Sequence, residues 1–146
     1  MVNKDFKKQF GVLAKSNEFK NAFGGWYKES AECIVVLELQ KSNFGYYYQL
    51  LIKIFIQGAF NRTYTIDRKL IKSSMGHVTT NETSNYTAVL DINEPMDDSV
   101  RKELLGELYQ NHIVPLTDRA LTRNGIKELA KNGEIFLLPA VKRELE

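Results

Sequence analysis

The sequence has 146 residues, enough for one domain with a single core. A formal net charge of +2 with 26% charged residues is that of an ordinary globular chain and falls short of the clustered basic face of a nucleic-acid domain. One cysteine and two histidines exclude an internal disulfide framework and a cysteine-based zinc site.

The amino terminus carries charge without a following apolar core, which does not fit a signal peptide. Residues 4–15 read as a first helix. Phe6, Phe10, Leu13 and Ala14 repeat at helical spacing, with Asn3 placed to cap them. Residues 19–29 read as a strand interrupted by Gly24-Gly25, the pattern of a bulge or sharp bend.

The next stretch organises the chain. In residues 46–57 the even positions Tyr46, Tyr48, Leu50, Ile52, Ile54 and Ile56 are all apolar or aromatic. The odd positions Tyr47, Gln49, Leu51, Lys53, Phe55 and Gln57 are mixed. Alternation of this kind marks a strand with one buried and one partly solvated face. Residues 34–40 supply its partner, and the link 41–45 carries the Asn and Gly that hairpins favour. On this reading Ile54→Asp unfolds the domain and Lys53→Glu is tolerated while the odd face stays open.

Residues 58–85 carry little pattern: a short helix candidate at 67–73, a strand candidate at 77–80 and a polar loop at 81–85. Residues 86–92 read as another strand. Residues 95–114 form the longest predicted helix, with Asp97 and Asp98 at its positive end and Pro115 kinking or ending it. Thr122 caps a further helix, 123–132, closed by Gly133. Pro139 starts a last helical turn. The fold class expected is α+β: one domain over residues 1–146, an antiparallel sheet of about 4–6 strands with helices mainly on one face, an N-terminal helix and a helical C-terminal third.

No catalytic signature emerges, so catalytic residues stay unassigned and no metal or cofactor is expected. Cys33 reads as a small buried hydrophobe. His77 sits in a glycine-adjacent stretch and reads as exposed. His112 reads as a core or helix-end histidine. Gly24-Gly25 lacks the Lys-Ser/Thr of a phosphate loop. Trp26, Tyr27, Tyr46 and Tyr47 gather aromatic area at one end of the hairpin, and Tyr47, Leu51, Lys53 and Phe55 share the mixed face.

Several stretches together resemble an uncharacterised bacterial family, the domain-of-unknown-function family 4304. They are Phe23-Gly24-Gly25-Trp26-Tyr27-Lys28, the strand Cys33 to Gln40, residues 52–58, and the tail from Leu121 to Val141. The resemblance covers most of the chain and implies no activity.

Two functions follow as expectations. The first is a small cytoplasmic, non-enzymatic protein-interaction module, of adaptor or immunity type, binding through Tyr47, Leu51, Lys53 and Phe55. The second is a small-ligand binder or enzyme with a pocket at the aromatic end of the sheet, lined by Trp26, Tyr27, Tyr46 and Tyr48 with Arg62 or His112. The expected partner is another protein, a second copy of the chain included. Nucleic acid is not expected, and no apolar run approaches the ~20 residues that span a bilayer.

Overall fold

A computed structural model describes residues 3–146, apart from the side chain of residue 3, so the cap expected there lies outside the described residues. The organising hairpin joins β3 (Cys33–Lys41) to β4 (Tyr48–Ile56). Their register runs without a break from Cys33 opposite Ile56 to Lys41 opposite Tyr48. A hairpin β1 (Lys20–Ala22) and β2 (Gly25–Glu29) lies on one side, and β5 (Val78–Asn81) lies on the other. All five strands pair antiparallel in chain order.

The even face of β4 is buried as the alternation requires. Leu50, Ile52, Ile54 and Ile56 join Val35 and Leu37 in the main core. Helices cover this face: α1 (Asn3–Ser16) with Phe6, Phe10 and Ala14, α2 (Asp98–Leu108) with Leu105 and Leu108, α3 (Val114–Arg119), α4 (Arg123–Lys131) and α5 (Pro139–Glu144). Tyr46 belongs to neither strand nor core and is 56% exposed.

The odd face differs from expectation. Leu51, Lys53 and Phe55 are buried, Lys53 to 1% exposure. Residues 58–77 fold back and place Leu70 and Ile71 against Ile34, Val36 and Phe55. The Gln57 side chain anchors this roof in the manner of a strand neighbour. Its amide donates to Tyr64 O at 2.8 Å and accepts from Tyr64 N at 2.7 Å. Asp67 Oδ1 then accepts from Leu70 N at 2.8 Å and starts a π turn over Lys69–Ser73.

Two further elements depart from the sequence reading. Residues 19–29 make a tight hairpin rather than one bulged strand. Phe23 and Gly24 take φ of 51° and 79°, and Ala22 pairs with Gly25, a two-residue turn of the primed type that suits strand twist. Residues 86–92 form no strand but 3₁₀ turns at Ser84–Tyr86 and Ala88–Leu90. The Arg101 guanidinium draws their carbonyls inward, donating to Val89 O at 2.8 Å, Asp91 O at 2.9 Å and Glu94 O at 2.8 Å. Of the two outcomes expected at Pro115, the helix is interrupted there rather than ended. A π turn at Tyr109–Ile113 rearranges the hydrogen-bond ladder just ahead of it, and the chain runs on into α3. Thr122 Oγ1 caps α4 by accepting from Gly125 N at 2.9 Å, and Gly133 closes it with φ 75°. No helix among the described residues is long and apolar enough to cross a membrane.

Candidate functional site

The apolar stripe of α1 turns Phe6, Phe10 and Ala14 into the core and leaves its lysines outside. Between α1 and the edge of the sheet lies a groove of about 1110 Å³. Its floor is aromatic. Phe6 stacks on Tyr48 with centroids 5.2 Å apart, and Phe10 meets Trp26 at 5.0 Å. Gly11 lets the indole approach, since a Cβ there would stand 3.3 Å from Trp26 Nε1. Phe19 completes the floor.

The rim is basic. Lys4, Lys7, Lys8 and Lys15 come from α1, Lys20 from β1 and Lys41 from the end of β3. Glu18 is the single acidic side chain on the lining. Opposed ammonium groups around an apolar floor hold a positive potential there, because low-dielectric walls focus the field.

Of the residues singled out in the sequence, Trp26 and Tyr48 lie in this groove. Burial raises the Tyr48 hydroxyl above its ordinary range. The others are dispersed. Tyr27 packs on the opposite face with the Ile34 and Ile71 cluster. Tyr46 and Tyr47 stand exposed at the hairpin end, where Tyr47 bridges to Asp91 and Lys41 Nζ lies 5.2 Å over the Tyr46 ring. Lys53 and Phe55 lie under the 58–77 roof and Leu51 is buried as well, so none of the three offers a surface, which corrects their assignment as a docking face. Arg62 is an exposed residue of that roof, and His112 contacts Asn81 O at 2.9 Å at the far edge of the sheet. Neither lines the groove.

The α1 lysines were the missed feature. The only signal in the sequence was that the polar face of the first helix is basic at four positions. Lys20 and Lys41 reach the same rim only through the fold.

The histidine and cysteine have structural work instead. His77 is half-buried rather than exposed. Its Nδ1 accepts from Ile56 N at 2.9 Å, its Nε2 lies 2.9 Å from Tyr64 Oη, and its ring is edged by Phe55 and Phe60. Burial lowers its pKa, with Glu144 opposing. Cys33 is fully buried, and burial, then Glu32, pushes its thiol up to about 11 against Arg123. Among the described residues no three metal-ligating side chains converge. Comparison with family models, with curated proteins and with solved structures finds no match.

Proposed function

We propose that this chain is a non-enzymatic protein-interaction module. Its α1 groove docks an acidic segment of a partner protein, with an apolar or aromatic side chain of that segment on the Trp26 and Tyr48 floor. The observation that carries this reading is six lysines to one glutamate around an aromatic base. Complementary charge steers such a partner and raises its association rate. At about 1110 Å³ the groove exceeds the roughly 300–1,000 Å³ of small-molecule sites, which favours a polypeptide. Two residues of reactive type support it too, since Cys33 is buried and both His77 nitrogens are engaged.

A dye-labelled peptide of alternating glutamate and phenylalanine tests this. It should bind saturably, shift the emission of Trp26, the single tryptophan, and weaken steeply with salt. Lys8→Glu with Lys15→Glu, both exposed, should weaken it at least about tenfold. Undiminished binding by that double variant removes the groove from consideration. The aromatic floor also favours a second reading, a small-ligand binder. Phenylacetate binding as tightly as the peptide would select it.

A further inference from the structure

At the Gly24 end of the groove two ammonium groups converge on one point. Gly24 takes φ 79°, and the position that its absent Cβ would fill lies 3.2 Å from Lys72 Nζ and 3.8 Å from Lys7 Nζ. Lys7 comes from α1 and Lys72 from the π turn of the roof, so the fold brings them together from distant parts of the chain. Both are half-buried. Among the described residues neither has an ion-pair partner.

Like charges so placed repel, and burial removes the water that would screen them. Burial and then Lys7 depress the Lys72 ammonium, with Lys53 and Arg68 adding to the effect and Glu38 opposing it. Glu38 is already taken, since Lys53 Nζ holds it at 2.6 Å. The local surplus of positive charge is thus uncompensated within the described chain. The point at Gly24 opens onto the groove, because Gly24 and Lys7 both line it. A dianion with several acceptor oxygens answers two ammonium donors at once, whereas one carboxylate matches only one charge.

We infer that Lys7, Lys72 and Gly24 form a subsite for a phosphomonoester dianion, carried on a side chain of the acidic segment that docks in the groove. The inference rests on that docking reading. It makes the module a reader of a phosphorylated partner.

Three probes test it: a glutamate–phenylalanine peptide with one phosphoserine, the same peptide with serine, and free O-phosphoserine. Affinity is measured by titration, and the Gly24 amide resonance reports where each binds. The phosphopeptide should bind at least about tenfold tighter than the serine peptide and move the Gly24 amide. That advantage should vanish in Lys72→Met and in Lys7→Met. It should persist in Lys15→Met, whose residue lies about 12 Å along α1 from Lys7. Equal affinity of the two peptides for the wild type, or an advantage retained in both Lys72→Met and Lys7→Met, overturns the subsite while leaving groove docking intact. If the serine peptide does not bind and free O-phosphoserine matches the phosphopeptide, the docking reading falls and the phosphorylated segment with it.

Discussion

Lys53 Nζ and Glu38 Oε1 lie 2.6 Å apart on adjacent strands, at 1% and 4% residue exposure, and the same ammonium donates to Ile71 O at 2.9 Å. The pair sits diagonally across the β3–β4 ladder, Glu38 opposite Leu51 and Lys53 opposite Val36. The ammonium therefore ties both strands to the roof. Removing one partner of a buried ion pair strands the other charge, at about 3–5 kcal/mol. Lys53→Glu should be at least that damaging, since it sets two carboxylates together. Replacing both, Lys53→Met with Glu38→Leu, should recover most of the loss. Urea unfolding of the single and double variants measures this. A tolerated Lys53→Glu would mean that the face is open after all.

That pair also marks where sequence reading stopped. Two-residue alternation identified β3, β4 and the buried even face, because strand geometry writes itself directly into residue order. The mixed odd face carried no sign of its cover. Beyond the short helix candidate at 67–73, which forms as the π turn over Lys69–Ser73, the roof has no helical or strand period, and its anchors are a glutamine side chain imitating a strand and the Asp67 carboxylate that begins the turn. Thr122 and Gly133 were legible because capping is a local matter. The groove was half legible. Trp26 and Tyr48 stood out as aromatics, but Lys20, Lys41 and Lys72 join the α1 lysines only in three dimensions.

Arg101 is 2% exposed and donates to the carbonyls of Val89, Asp91 and Glu94. It is the clamp that turns residues 88–94 into tight turns instead of a strand. Arg101→Met takes the guanidinium donor from the Val89 and Glu94 carbonyls and leaves Asp91 O only the Glu94 N–H at 3.1 Å, and a carbonyl stranded in this way costs about 1–3 kcal/mol when buried. A loss of at least about 3 kcal/mol is expected, with faster hydrogen exchange at Leu90 and Ile92. Unchanged protection there would show that other contacts hold the segment.

Two helical glycines should respond in opposite directions. A Cβ on Gly125 would lie 1.7 Å from Arg119 O, so Gly125→Ala must push α4 away from the end of α3. A loss above about 3 kcal/mol is expected, in the range of strong steric defects. A Cβ on Gly106 would meet nothing within 4 Å. Gly106→Ala should stabilise α2 by up to about 1 kcal/mol, the difference in helix propensity. Thermal melts of both settle the matter, and a stable Gly125→Ala would contradict the α3–α4 packing.

Cys33 should be chemically silent in the native protein. With the thiol raised to about 11 by burial, roughly one molecule in a thousand carries a thiolate near pH 8, and the thiolate is the reactive form. A thiol-specific disulfide reagent should label native Cys33 at least about a hundredfold more slowly than the urea-unfolded chain. Comparable rates would show that β3 opens readily at its start.

His77 should make stability fall on the acid side of neutrality. The Ile56 N–H donates to Nδ1, so that nitrogen must keep its lone pair and the ring must be neutral with its proton on Nε2. Burial lowers the native pKa below the ordinary 6.5, with Glu144 only opposing. Above about pH 7 the ring is neutral in both native and unfolded states, and the full stability is present. As pH falls through 6.5 the unfolded chain takes up a proton that the native state refuses. Stability is then lost at up to about 1.4 kcal/mol per pH unit until the native ring also protonates. Urea unfolding of wild type and His77→Gln from about pH 8 to about pH 5 isolates this contribution, because the difference between them cancels groups common to both. The difference should be level above about pH 7 and shrink below it, the wild type losing more than the variant. A difference that stays level throughout would mean that the imidazole is not held neutral by Ile56, and one that grows on acidification would place the native pKa on the wrong side of 6.5.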